Sequence, residues 1–206
     1  MKVILVNGSS HLKGTTYRGL QEVAKALESN GVETEIYQLG SKPIGGCIGC
    51  GYCFKNNECF MKDKVNEFVE LAKEVDGFIF GTPVHYAAAS GSLTSFLDRV
   101  FYSGSDALAY KPAATIVAAR RAGTTATFDQ INKYFTINNM PQVSSNYWNA
   151  IHGLSAEEAE KDIEGMQTMK ILGNNMAWLL KCIELGKQNE IKHPSIESRT
   201  ATNFIR

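Results

Sequence analysis

Short apolar runs alternate with longer amphipathic segments along most of this sequence, and that alternation limits the possible folds more than any other feature. Residues 2–7 carry an unbroken apolar run, Val3 to Val6, before the Gly8-Ser9-Ser10 turn, the pattern of a strand buried on both faces. Residues 15–30 place Leu20, Val23, Ala24 and Leu27 at i, i+3, i+4 and i+7 and stop at Gly31, which predicts a helix ended by glycine. The same reading predicts strands at 33–39, 77–81, 113–119 and 142–147, and helices at 64–74, 91–101, 127–135 and 155–186. Five strands alternating with five helices predict an α/β fold, an open five-stranded parallel sheet with helices on both faces. Ligands of such sheets bind outside the carboxyl ends of the strands, where the strand order reverses. The loops that follow the strands are therefore where chemistry is expected.

The chain has 206 residues, which at roughly 150 residues per domain favours one elaborated domain over two. We place that domain at 1–186, with a loop inserted at 40–62 and a polar tail at 187–206 that is either loose or an arm gripping a second subunit. Lys and Arg together number 21, as do Asp and Glu, so no net field attracts nucleic acid or an acidic membrane. No apolar run approaches the roughly 18 residues of a membrane span, and Val3 to Val6 is too short for the core of a signal peptide. A cytoplasmic protein with no nucleic-acid or membrane partner is expected.

The loop after the first strand is built of small and hydroxylated residues: Ser9, Ser10, His11, Gly14, Thr15 and Thr16 among them. Glycines admit a ligand close to the backbone, and helix-start amides with Ser and Thr hydroxyls suit a phosphate dianion. Lys13 precedes Gly14 instead of following it, so this is not a nucleoside-triphosphate loop. Ser10 and Lys13 stand where a dinucleotide fingerprint needs glycines. Capping of the helix by Thr15 and Thr16 alone does not account for so many small polar residues.

This loop resembles the phosphate loop of the flavodoxin-like NAD(P)H-dependent FMN reductases. The resemblance continues at Thr82-Pro83-Val84-His85-Tyr86 after the third strand, which is similar to that family's flavin loop, and in the helix segment from Leu93 to Arg99. It also includes the loop after the fourth strand, Ala119, Arg120, Arg121, Ala122 and Gly123, where the two arginines replace a more glycine-rich run. It implies a flavodoxin-like fold and FMN bound by Ser9, His11, Gly14, Thr15, Thr16, Thr82, Pro83, Val84, His85, Tyr86, Ala119, Arg120 and Gly123. Pro83 would stiffen the turn, and His85 or Tyr86 would lie against the ring. His85 reads equally well as a hydrogen-bonded loop histidine, and Arg120 and Arg121 either sit near the reduced flavin's charge or are surface charge.

Residues 40–62 form a second, longer loop without periodicity, beyond the roughly 12–15 residues of an idle connection. It carries Cys47, Cys50, Cys53 and Cys59 in a C-x2-C-x2-C-x5-C array, with glycines at 45, 46, 49 and 51. Four thiolates on a flexible loop suit a [4Fe-4S] cluster. Zinc is a rival, although structural zinc sites usually pair two separated C-x2-C knuckles, and the loop could instead be an unmetallated lid. The array is similar to the cluster motif of the iron-sulfur flavoproteins, which implies Cys47, Cys50, Cys53 and Cys59 as ligands. Cys182, within the last helix, reads as a buried small hydrophobe, and Met166, Met169 and Met176 as packing.

The resemblance implies an FMN-dependent oxidoreductase that passes electrons from NAD(P)H or a ferredoxin-like donor to a small acceptor such as a quinone or dioxygen. It also implies a homodimer or homotetramer. Two rivals stay open: a non-catalytic electron carrier or redox sensor with the same two centres, and a cluster-free FMN reductase with a cysteine lid.

Overall fold

In a computed structural model, described here for residues 1–195, 197, 200–202 and 204, the chain forms five parallel strands flanked by helices. In chain order these are β1 (Lys2–Asn7), α1 (Thr15–Ser29), β2 (Glu33–Gln38), α2 (Cys53–Asn56), α3 (Lys64–Lys73) and β3 (Gly77–His85). There follow β4 (Ala88–Ala89), α4 (Gly91–Leu108), β5 (Ala113–Ala119), α5 (Thr124–Ile137), β6 (Ala150–His152), α6 (Ala156–Ala159) and α7 (Ile163–Gln188). The sheet order is β2-β1-β3-β5-β6, and the short β4 folds back antiparallel onto the end of β3. Strand order thus reverses between β1 and β3, and the ligand crevice of such a sheet lies at that point.

Side-chain alternation along the strands builds two cores. Ile4, Val6, Phe78 and Phe80 face one way, onto α3, α4 and α5, where Phe68, Phe96 and Phe135 join them. Val3, Leu5, Ile79 and Ile116 face the other way, onto Leu20, Val23 and Leu27 of α1 and Met169, Leu172 and Met176 of α7. Edge strand β2 is only half-buried, and its Glu35 pairs with Lys2 at 2.8 Å. Among the described residues no helix is long and apolar enough to cross a membrane.

The fifth strand lies later than 142–147. Pairing begins there, with Val143 N–H donating to Ala113 O at 2.9 Å, but it breaks off and resumes at Ala150–His152. The Ser145 hydroxyl bonds Tyr147 O and Asn149 Oδ1, each at 2.7 Å, and this local bonding replaces the ladder.

The helix expected over 155–186 is two helices. Asp162 interrupts it by accepting from Gly165 N–H at 3.0 Å, which caps α7, and from His152 N–H at 2.7 Å. Met169 and Met176 are buried and Met166 packs beside them, as expected. Cys182 is exposed, against expectation. The buried stripe of α7 runs through Met169, Leu172, Met176 and Leu180, and two residues past Leu180 the helix has turned by about 200°.

The tail begins later than 187, because α7 continues through Gln188; the His193 ring then stacks on Tyr110 of its own chain at 4.2 Å. Positions 196, 198, 199, 203, 205 and 206 of the proposed arm lie outside the described residues.

Candidate functional site

The loop after β1 is pinned from beneath by Asn7, the buried last residue of the strand. Its Oδ1 accepts from Ser9 N–H at 3.1 Å, and its Nδ2 donates to Gln38 Oε1 at 2.7 Å and to His11 O at 3.3 Å. Ser9 Oγ in turn accepts from His11 N–H at 3.1 Å. Gly8 N–H donates to Gly81 O at 2.8 Å, and a Cβ at Gly8 would lie 2.8 Å from that same oxygen, so β1 and β3 approach as closely as glycine allows. Gly14 precedes α1 and supplies no side-chain cap, which leaves first-turn amides available to an anion.

A cleft of about 540 Å³ opens at the β1/β3 switch point, a size suited to a cofactor. Ser9, His11, Gly14, Thr15 and Thr16 line it from the first loop, Pro83, Val84 and His85 from the end of β3, and Ala119 and Arg120 from the end of β5. Three expected residues do not line it. Thr82 is wholly buried; its hydroxyl accepts from Ser90 N–H at 3.1 Å and donates to Pro83 O at 2.9 Å, bracing the turn instead of meeting a ligand. Tyr86 sits at φ 56° with its ring fully in solvent. Gly123, at φ +87°, lies behind Val84, where a Cβ would come 2.9 Å from Val84 Cγ1.

Thr15 lines the cleft, but its hydroxyl donates to Gly153 O at 3.0 Å and Ser155 O at 3.2 Å. It fastens the segment 153–157 over the loop, helped by Arg18 bonding Glu160 at 3.0 Å. Thr16 has no side-chain hydrogen bond among the described residues and is the hydroxyl left for a ligand. The wall formed by Gly153, Leu154, Ser155, Ala156 and Glu157 was missed from sequence. A correct end for the last strand at His152 would have found it by the same rule that picked out the other loops. Lys13 and Arg120 are the cations of the lining, and Arg121, Tyr147 and Trp148 are exposed outside it.

Residues 40–62 also leave the sheet at a strand's carboxyl end, that of β2. Gly49 and Gly51 adopt φ +66° and +68°, left-handed positions on either side of Cys50 that reverse the chain between thiols. Cys47 and Cys50 are exposed, Cys53 and Cys59 half-buried, and all four line one cavity of about 30 Å³ together with Arg99 and Tyr102. Burial pushes the Cys53 thiol pKa up, and the neighbouring Cys47, Cys50 and Cys59 push it further. Cys59 is held through its backbone, donating to Asn66 Oδ1 at 3.2 Å and accepting from Asn66 Nδ2 at 3.0 Å. Among the described residues no three His, Cys, Asp or Glu side chains converge on a single ion position.

Arg99, wholly buried in α4, reaches this loop. Its Nε donates to Cys59 Sγ at 3.2 Å, and its two terminal nitrogens bond Asp63 at 2.7 and 2.8 Å, Met61 O at 2.9 Å and Gly45 O at 3.2 Å.

Comparison with known proteins agrees with this geometry. Residues 1–154 match the family model for NADPH-dependent FMN reductase. An iron-sulfur flavoprotein of Methanocaldococcus jannaschii is 31% identical over 195 residues, which is 89% of this chain and 100% of that protein. One from Archaeoglobus fulgidus is 26% identical over 197 residues, covering 88% of this chain and 98% of that one. A flavodoxin from the domain Archaea superposes with a TM-score of 0.60 at 16% identity, covering 88% of this chain and 99% of its own.

Proposed function

The chain belongs to the NADPH-dependent FMN reductase family and is an oxidoreductase, and from that premise we propose that it carries FMN in the β1/β3 cleft and a [4Fe-4S] cluster on Cys47, Cys50, Cys53 and Cys59. In this reading it moves electrons from NAD(P)H or a ferredoxin-like donor to a small acceptor such as a quinone or dioxygen. One observation carries the reading: four thiols ring a single cavity on a loop at the same sheet edge as the cleft. Thiols around a common void suit a multinuclear group, whereas a lone ion would need them drawn onto one point.

The residues divide the work. Ser9, the Thr16 hydroxyl and the first-turn amides of α1 would hold the phosphate, with Lys13 adding positive charge. Pro83, Val84 and His85 form the wall against which the ring would lie, Gly123 sets the position of Val84, and Arg120 stands at the rim. Bound FMN supplies the exchange between paired and single electrons. The segment 153–157, tied down by Thr15, would wall the cleft beside the phosphate loop. A homodimer or homotetramer is part of this reading, supported by Trp178 and Leu185, which stand exposed on α7.

Anaerobic purification with iron, sulfide and flavin counts, and visible spectra before and after dithionite, tests both cofactors. Cys50→Ser should abolish the iron-dependent absorbance while FMN stays bound, and an unchanged spectrum would refute the cluster. Steady-state turnover of NAD(P)H with a quinone is expected; electron exchange with ferredoxin but no turnover with any acceptor would make the protein a carrier.

A further inference from the structure

The cysteine loop has little packing to order it: Ile44 and Cys59 lie partly buried against the core, Tyr52 meets Phe60, and Phe54 meets Tyr102 of α4 edge to face. Not one residue from 40 to 64 is buried, and the only regular structure between β2 and α3 is the single turn α2. Burial of apolar surface therefore offsets only part of the conformational entropy that ordering such a loop costs. Yet the four thiols already ring one cavity.

Beside Asn66, which holds the Cys59 backbone, Arg99 supplies the tie that spans the loop. A guanidinium has five N–H donors and no acceptor, and buried away from water it needs a partner for each. The structure provides five hydrogen bonds, and every acceptor, Gly45, Cys59, Met61 and both oxygens of Asp63, lies in the segment 45–63. With the loop in place, the two ends of the cysteine array are drawn onto one side chain whose five donors are all paired out of water. Asp63 completes the link to α3, since its Oδ1 also accepts from Val65 N–H at 3.0 Å. Along α4, Arg99 lies roughly 12 Å from Gly91, so one rigid helix runs from the end of the flavin loop to the cysteine loop.

We infer that Arg99 is a positioning residue that folds the cysteine loop before any cluster is present, and that its Nε–H···Sγ bond to Cys59 makes electron uptake by a bound cluster more favourable. A cation and a hydrogen bond at a ligand sulfur stabilise the more negative state, which raises the reduction potential. The second half rests on the cluster reading given above, whereas the first half stands without it.

The test uses the full chain as wild type, Arg99→Gln and Arg99→Lys. In FMN-loaded protein stripped of iron by a chelator, hydrogen exchange should show the backbone amides of 54–57 and 59 protected in wild type. Arg99→Gln should speed their exchange at least tenfold while β1 and β3 stay unchanged, and Arg99→Lys should fall between, because one ammonium cannot span four partners. In protein reconstituted with iron and sulfide, potentiometry should show the cluster's midpoint potential lowered by Arg99→Gln and lowered less by Arg99→Lys.

Wild-type loop amides exchanging at the rate of an unstructured chain would overturn the inference with no variant needed, as would wild-type protection in Arg99→Gln. An unmoved potential would overturn its second half. Failure of the wild type to take up iron and sulfide would sink the cluster reading, while the exchange data still decide whether Arg99 organises the loop.

Discussion

Gly123→Ala perturbs two separable things. A left-handed backbone costs a residue with a Cβ about 1 kcal/mol, and Gly123 sits at φ +87°. That strain is the same with or without FMN, so it lowers stability and not affinity, with a loss of roughly 2–4 °C in Tm for a chain of this size. The new methyl would also lie 2.9 Å from Val84 Cγ1 and push Val84 toward the cleft. In FMN-free protein Val84 can yield into open space, but with the ring bound it cannot, so the overpacking, about 1–3 kcal/mol, falls on binding. At 1.4 kcal/mol per tenfold, the Kd for FMN should rise roughly 5- to 150-fold. Quenching of flavin fluorescence on titration reads the affinity, and thermal melting without FMN reads the strain. Adding Val84→Ala removes the colliding methyl, so the double variant should bind FMN about as well as Val84→Ala alone while its Tm stays low. Wild-type affinity in Gly123→Ala, or a loss that Val84→Ala does not relieve, would refute this account of how Gly123 serves the site.

The two threonines of the first loop should behave differently. Thr15→Val removes the bonds to Gly153 and Ser155 and should lower Tm by roughly 2–4 °C, about 1 kcal/mol. Thr16→Val should weaken FMN binding more than riboflavin binding, since only FMN carries the phosphate, and titration with both ligands checks it. Burial opposes charge on the Asp63 carboxylate, yet the Arg99 fork and the Val65 amide hold its pKa below the ordinary value. A carboxylate with a lower pKa folded than unfolded adds stability that is complete above about pH 4 and fades as pH falls through the folded value. The cluster-free protein should therefore lose Tm below about pH 4, and Asp63→Asn should flatten that decline. Gly173→Ala would place a Cβ 2.6 Å from Ala26 Cβ and 2.7 Å from Val23 O, forcing α1 and α7 apart. It should cost about 1–3 kcal/mol, read by thermal melting.

The alternation of apolar runs and amphipathic helices was enough to place β1, β3 and β5, because strands buried on both faces are continuously apolar and stand out from their surroundings. It misplaced β6, whose three residues are too few to make a pattern and whose start depends on Ser145 turning the chain by local hydrogen bonds. That one error hid the whole 153–157 wall of the cleft. Cys182 failed for a related reason: its residue type suggests burial, but its position on α7 falls off the stripe that faces α1.

What the sequence determined by itself is local in the chain: a glycine and hydroxyl loop between a buried strand and a helix, and four cysteines at fixed intervals between glycines. These features need only neighbours in sequence, so spacing and residue type reveal them. What only the tertiary structure decided is which side chain meets which across long separations. Thr15 is spent on Gly153 and Ser155, 138 and 140 residues away. Arg99 bonds Cys59, 40 residues away, and Asp63, 36 residues away. A buried hydroxyl or guanidinium must find partners wherever the fold brings them, and no spacing rule along the chain records where that will be.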